Sequence, residues 1–166
     1  MVELNGTELT IEQVMAVARH KEQVRISEPA KQKIDRARAY VDEKLAQKAV
    51  IYGLTTGFGK FSDTFVPEQE TAALQRNLII SHACGMGAPL PCEVVRGAML
   101  LRCNALARGN SGIRLSTLET LLAMLNRGVH PVIPEKGSLG ASGDLAPLAH
   151  IVLVMLGEGE AEYQNA

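Results

Sequence analysis

Apolar side chains recur every three to four positions along most of the chain, a spacing that predicts α-helices with one buried face. In the first such segment Ile11, Val14, Met15 and Ala18 share a face. Helix starts are predicted where capping residues or proline precede an apolar run, at Thr10, Ser27, Pro67, Pro91, Ser116 and Ser142 or Asp144. The predicted fold class is therefore mainly α.

Three of these helices carry more specific predictions. Thr10 with Gln13, and Ser116 with Glu119, have the spacing of a capping box, in which the two residues satisfy each other's backbone N–H. The helix after Pro91 has apolar residues dense enough to predict burial on more than one side. We expect the polar residues Arg102 and Asn104 in that helix to need partners.

Glycine and proline separate the helices and predict loops of defined shape. Asn5-Gly6 favours a tight hairpin within residues 4–9. Residues 50–61 place three glycines among aromatic side chains, which no regular helix would tolerate. Residues 130–135 are bounded by prolines and predict an extended segment. That segment leads into residues 137–143, where every third residue is glycine.

Composition fits one globular unit, and we predict a single domain over residues 1–166. Of the 166 residues, 46% are hydrophobic and 21% charged, and the formal net charge is −1. Such a balance creates no field that would attract nucleic acid or an anionic membrane, so neither is expected as a partner. The first residues are polar and no apolar run approaches spanning length, which predicts a cytoplasmic protein without a membrane segment.

The cysteines do not suggest a metal site. They stand at positions 84, 92 and 103, at spacings that match no zinc or redox motif. A zinc site with His82 and Cys84 would need two further ligands. We therefore predict buried thiols in a reducing compartment and no bound metal.

The glycine-rich loop at residues 137–143 allows two interpretations from its spacing alone. Free N–H groups ahead of a helix often bind phosphate, yet this loop has no Lys-Ser/Thr pair and its sequence predicts no clear strand leading into it, so neither nucleotide-binding motif is matched. Alternatively, the glycines form a tight connection before a buried helix. Either way, residues 141–143 are expected near the positive end of a helix dipole.

Residues 137–150, GSLGASGDLAPLAH, resemble the signature of the histidine and phenylalanine ammonia-lyase family, the aromatic amino acid lyases. In that family an Ala-Ser-Gly triplet cyclises with loss of water to a methylidene-imidazolone (MIO), an electrophilic cofactor made from backbone. The matching residues here are Ala141, Ser142 and Gly143. Their types suit the chemistry, because the attacking residue lacks a Cβ, the middle one carries a leaving hydroxyl and the first is small. No dissociable cofactor is implied.

Two further segments resemble the same family. In YGLTTGFG the family's tyrosine is the catalytic base, and the match is Tyr52. A tyrosine ordinarily titrates near pH 10, so this role requires nearby positive charge. Without the resemblance, an aromatic packed at the end of an apolar segment would be the simpler interpretation. Ser81-His82 matches the pair that helps select the substrate side chain, and it resembles the histidine-specific members more than the phenylalanine-specific ones.

The resemblance implies non-oxidative deamination of L-histidine to urocanate and ammonia. It covers only the N-terminal, cofactor-bearing portion of the family's fold, without the central helical bundle. Family members work as homotetramers whose active sites combine several subunits. We therefore expect a homo-oligomer, a dependence on the missing C-terminal portion, exposed apolar helix faces and no substantial activity of the isolated chain. A tyrosine or phenylalanine ammonia-lyase, an aminomutase, or a non-catalytic interaction module are the alternatives.

Overall fold

The computed structural model describes residues 1–62, 64, 66–139, 143 and 145–163. Within these ranges the helices are α1 (Ile11–His20), α2 (Glu28–Ala46), α3 (Glu68–His82), α4 (Cys92–Ala107), α5 (Leu115–Asn126) and α6 (Leu145–Met155). Short strands connect them: β1 (Val2–Leu4), β2 (Val24–Ile26), β3 (Met86–Pro89), β4 (Val129–Pro131), β5 (Pro134–Lys136) and β6 (Ala161–Tyr163). A 3₁₀ turn spans Gly59–Phe61. The prediction of a mainly α fold is confirmed.

The strands form three separate pairs. β1 and β2 are parallel, whereas β3 pairs with β5 and β4 with β6 in antiparallel fashion. Since two of the pairs join strands that are not neighbours in sequence, they tie distant loops together. The extended segment predicted at residues 130–135 is confirmed as most of β4 and the start of β5.

The hairpin predicted at Asn5-Gly6 is wrong. The Asn5 side-chain oxygen accepts the backbone N–H of Thr7 at 2.9 Å and of Glu8 at 3.0 Å, which turns the chain toward α1. β1 instead pairs with β2, in a region the sequence suggested was only a break between helices. The Gly6 N–H donates to Asn104 Oδ1 at 3.1 Å, so Asn104 has the partner that the sequence led us to expect.

Of the two predicted capping boxes, one is confirmed and the other is wrong. Thr10 and Gln13 form the predicted box, with Gln13 N–H to Thr10 Oγ1 at 3.3 Å and Thr10 N–H to Gln13 Oε1 at 3.0 Å. The box predicted at Ser116 is wrong, because α5 already begins at Leu115 and Arg114 takes the cap position. The starts at Ser27, Pro67 and Pro91 are confirmed.

The core is centred on α4, which is buried on more than one side as predicted. Its side chains Val95, Met99, Leu100 and Cys103 are at most 2% exposed. They belong to a cluster with buried residues of α1, α2, α5, β1 and β2, namely Val17, Ile34, Leu118, Leu125, Leu4 and Ile26. This cluster is the hydrophobic core against which these helices and strands pack.

A buried arginine crosses that core. Arg96 of α4 donates to the carbonyl oxygen of Val17 at 2.8 and 3.0 Å, to that of Leu125 at 3.0 Å, and to His130 Nε2 at 2.9 Å. Because a guanidinium only donates, His130 is neutral with its proton on Nδ1, which faces Cys92 Sγ at 3.4 Å. The sequence directed attention to Arg102, which is exposed, and not to Arg96.

The prediction of buried thiols is correct only in part. Cys103 is buried, and this burial raises its pKa to about 12. Cys92 is half-buried, whereas Cys84 is exposed at the turn after α3, so the prediction is wrong for Cys84. Exposed apolar side chains lie on α3, α4 and α6, as expected, at Ile80, Val94, Leu101 and Leu145. Across the described ranges no helix is both long and apolar enough to cross a bilayer.

Candidate active site

The end of α3 presents the Ser81-His82 pair. His82 Nδ1 lies 2.8 Å from the Leu78 carbonyl oxygen and 3.1 Å from Ser81 Oγ. A carbonyl oxygen can only accept, so Nδ1 carries the proton. Ser81 Oγ also donates to the Leu78 oxygen at 2.8 Å. The helix end therefore fixes the ring of half-buried His82 in the tautomer whose Nε2 is an acceptor.

Three residues later, Gly85 packs against the start of the glycine-rich loop. A Cβ built on Gly137 would stand 3.0 Å from the Gly85 Cα, and Gly137 has a φ of +136°. A Cβ built on Gly85 would stand 3.0 Å from His150 Nε2 and 3.1 Å from the Pro134 Cβ. Only glycine allows so close an approach of the two backbones.

His150 of α6 completes this junction. Its Nε2 accepts the Gly85 N–H at 3.1 Å, across 65 positions of sequence. β3 and β5 continue the contact with Met86 opposite Lys136. Arg76 of α3 also pairs with Glu158, just beyond α6, at 2.6 Å. The structure thus brings the Ser81-His82 segment to the foot of the glycine-rich loop and to the helix that follows it.

The centre of the loop is described at one residue. Gly143 has a φ of +98°, and among the described residues no atom beyond its chain neighbours lies within 4 Å of where its Cβ would stand. α6 begins two residues later with Pro147 in its first turn, as predicted. Ala141, Ser142 and the alternative cap Asp144 lie outside the described residues.

Tyr52 lies on the other glycine-containing loop. Its side chain is 63% exposed, its ring stacks edge-on with Phe58 at 6.0 Å, and its hydroxyl accepts the Gly59 N–H at 3.4 Å. Buried threonines hold the loop in shape, because Thr55 Oγ1 donates to the Ala49 oxygen at 2.8 Å. These contacts of Tyr52 stay within its own loop and do not join it to His82.

Known proteins are similar to this chain over nearly its whole length. The family model described as aromatic amino acid lyase matches residues 9–166. The chain belongs to the aromatic amino acid lyase family. Among curated relatives, the histidine ammonia-lyase of Alkaliphilus oremlandii is 60% identical over 98% of this chain. That of Alkaliphilus metalliredigens is 59% identical over 99%. The chain spans only 32% of the length of each.

Solved structures of the family share the fold. Histidine ammonia-lyase from Trypanosoma cruzi is 40% identical with a TM-score of 0.88, over 98% of this chain and 30% of that one. Ergothionase from Treponema denticola is 35% identical with a TM-score of 0.93, over 99% and 33%. Phenylalanine aminomutase from Pantoea agglomerans is 35% identical with a TM-score of 0.92, over 100% and 32%. The backbone is thus common to lyases and aminomutases with different named substrates.

His150 is the last residue of the motif at residues 137–150 of this aromatic amino acid lyase chain, and the resemblance assigns it no role. Burial lowers the pKa of His150, which favours the neutral ring that accepts the Gly85 N–H. The sequence did contain a signal for His150, because it is a histidine inside an otherwise apolar helical run. For Gly85 the sequence indicated only the end of the helix that runs to His82, since its contacts are made with residues that follow much later.

The arrangement offers an acceptor nitrogen on His82, held by a helix end, beside a loop whose glycines permit close backbone approach. Within the part of the chain that the structure describes, no three His, Cys, Asp or Glu side chains gather to hold a metal ion.

Proposed function

We propose that this chain forms the electrophile-bearing part of a histidine ammonia-lyase, which converts L-histidine to urocanate and ammonia. The observation that carries the proposal is 60% identity to a histidine ammonia-lyase over 98% of the chain. The similar folds of the aminomutase and the ergothionase do not distinguish between substrates, so the preference for histidine also relies on the Ser81-His82 pair.

Ala141, Ser142 and Gly143 are the residues that would form the MIO group. The described part of this triplet fits, because Gly143 has no Cβ and adopts a positive φ of +98°. An MIO there would supply an electron-poor carbon, which no common side chain offers. The start of α6 at Leu145 places a helix N-terminus close in sequence, and its dipole favours developing negative charge.

His82 would orient the substrate. Because its Nδ1 proton is engaged by the Leu78 carbonyl, its Nε2 lone pair is available to accept a hydrogen bond. The neutral imidazole of histidine carries one N–H, which is the complementary donor. A phenylalanine side chain has no such donor and would leave the acceptor unpaired. This complementarity supports histidine as the substrate.

Tyr52 would remove the β-proton of the substrate. Its exposed ring and its position on a glycine-containing loop leave it accessible to groups outside the described contacts. Since the chain spans 32% of its relatives' length, we propose that the remainder of the enzyme, in a homo-oligomer, completes the site around Tyr52. The isolated chain is then expected to show no substantial turnover.

The test uses a complete enzyme in which this chain replaces the matching third of the Alkaliphilus oremlandii histidine ammonia-lyase. We expect this chimera to lose water on cyclisation, seen by intact mass and near-ultraviolet absorption, and to convert histidine rather than phenylalanine or tyrosine. Ser142→Ala should abolish both the mass loss and turnover. Tyr52→Phe should keep the ring and reduce kcat by about a hundredfold or more, the usual contribution of a catalytic base.

Two results would contradict the proposal. If Ser142→Ala turned over histidine at the rate of the unsubstituted chimera, the triplet would not supply the electrophile. If the chimera formed the ring but preferred phenylalanine or tyrosine, the assigned substrate would be wrong. The unsubstituted relative, assayed in parallel, controls for the quality of the chimera.

A further inference from the structure

The backbone N–H of Gly85 has an unusual partner. It lies beyond the end of α3, where the last helical hydrogen bonds are those of Ala83 N–H to the Ile79 and Ile80 oxygens at 3.0 and 3.3 Å. The N–H of Gly85 is instead accepted by the side chain of His150, from a different helix, at 3.1 Å. At Gly85, the turn that follows His82 is therefore held by a side chain and not by a backbone carbonyl.

We propose that His150 is a positioning residue of the lyase site, which fixes the Ser81-His82 segment against the foot of the glycine-rich loop through its neutral Nε2. The inference rests on the proposed function, because it assigns His82 the task of orienting the substrate. His150 itself needs no contact with substrate to act in this way.

The packing around Gly85 makes the hydrogen bond decisive. On one side of Gly85 stand His150 Nε2 and Pro134, within about 3 Å of where a Cβ would be. The loop also approaches Gly85, because a Cβ built on Gly137 would stand 3.0 Å from the Gly85 Cα. A shift of the Gly85 peptide toward His150 or away from it therefore changes its contact with the loop.

That shift would be transmitted to His82. Only Ala83 and Cys84 separate His82 from Gly85, and Met86 is paired with Lys136 in the β3–β5 ladder. The turn is thus held at Met86 by the ladder and at Gly85 by His150. Without His150 only the first of these constraints remains, and the ring of His82 loses its defined position relative to the loop.

Three substitutions of His150 distinguish its role as a hydrogen-bond acceptor from its role in packing. His150→Gln keeps an acceptor, because the Gln side-chain oxygen reaches the place of the imidazole Nε2. His150→Leu fills similar space without an acceptor. His150→Asn is chemically matched to Gln but one methylene shorter, so it cannot reach the Gly85 N–H and replaces Leu if the latter does not fold.

The experiment uses the complete chimera described above. For His150→Leu, or Asn, we expect the KM for histidine to rise about tenfold while kcat changes less, since an unpaired buried donor costs free energy of that order. The ring should still form, as judged by intact mass. Hydrogen exchange of a peptide covering residues 83–90 should become faster, and His150→Gln should restore both the KM and the protection.

A purely structural role gives a different result. Loss of folded enzyme lowers the apparent kcat and leaves KM unchanged, and an unchanged KM in Leu and Asn would overturn the proposal. Equal effects of Gln and Asn would also overturn it. If instead the unsubstituted chimera failed to convert histidine, the proposed function would fail, whereas the exchange of residues 83–90 would still test the role of His150.

Discussion

Arg96 of α4 joins α1, α5 and β4 through the hydrogen bonds of its guanidinium. Its guanidinium binds carbonyl oxygens near the C-terminal ends of α1 and α5, where helix carbonyls lack helical donors. These ends carry the negative pole of the helix dipoles, so the buried positive charge is balanced without a carboxylate. Burial lowers the pKa of Arg96, and a guanidinium nevertheless remains protonated in proteins.

Replacing Arg96 by lysine should destabilise the protein strongly. Lysine keeps the charge but lacks the planar fork, so at least one of the carbonyls of Val17 and Leu125 loses its donor. We expect the free energy of unfolding to fall by about 3 kcal/mol, as for other disrupted buried polar networks. Urea denaturation measures it. The matched control is Arg102→Lys in the same helix, where the side chain is exposed and the change should stay within about 0.5 kcal/mol. Equal effects of the two substitutions would show that Arg96 is not the junction described.

At the scale of the element, helix starts depend on the residue that stands at the cap. Thr10 makes its predicted bond because the chain is extended there, with a φ of −93° and a ψ of 164°. Ser116 has the same sequence spacing, but it lies inside α5, and its carbonyl oxygen accepts the Thr120 hydroxyl at 2.9 Å. Packing of Leu118 and Leu121 in the core sets where α5 starts, and it overrides the local signal.

Thr10 and Ser116 provide a matched test of where α1 and α5 are capped. Thr10→Ala removes the hydroxyl that accepts the Gln13 N–H at the start of α1 and should lower the free energy of unfolding by about 1 kcal/mol. Ser116→Ala should leave it unchanged within about 0.5 kcal/mol, because no cap is lost. Thermal or urea unfolding of the two variants decides, and a larger loss for Ser116→Ala would contradict the assigned start of α5.

At the scale of the whole molecule, the buried His130 and the half-buried His150 link stability to pH. Burial, and then the nearby Arg96 and Lys21 charges, lower the pKa of His130, with Glu162 acting in the opposite direction. Burial likewise lowers the pKa of His150. In the unfolded chain both histidines titrate near the ordinary value of about 6.5. The unfolded state therefore binds more protons than the folded state at mildly acidic pH.

This difference in bound protons determines the direction in which the free energy of unfolding changes with pH. Stability contributed by the neutral rings is complete above about pH 6.5 and is lost as the pH falls below that value. We expect a lower free energy of unfolding at about pH 5.5 than at about pH 7.5, measured by urea denaturation. The exposed His20 provides the control, because His20→Gln should leave this difference unchanged. A protein more stable at about pH 5.5 would contradict the neutral state assigned to both rings. The lowered pKa values of Glu12 and Asp42 act in the same direction, but only at more acidic pH.

The sequence by itself determined which segments are helical, because apolar spacing, prolines and capping residues are local signals. It also determined the family, through motifs that lie within short stretches. The mainly α fold and most helix starts were therefore predictable, as was the burial of α4 on more than one side. That residues 1–166 form one domain stays a prediction, as do the roles of Tyr52, Ser81, His82 and residues 141–143.

Only the tertiary structure decided the pairing of β1 with β2, the capping of two helix ends by Arg96 and the bond between His150 and Gly85. Each is made between residues far apart in sequence, 79 positions for Arg96 with Val17 and 65 for His150 with Gly85. Local spacing contains no information on which distant donor will meet which acceptor. The packed core brings them together, and burial then makes each polar bond necessary.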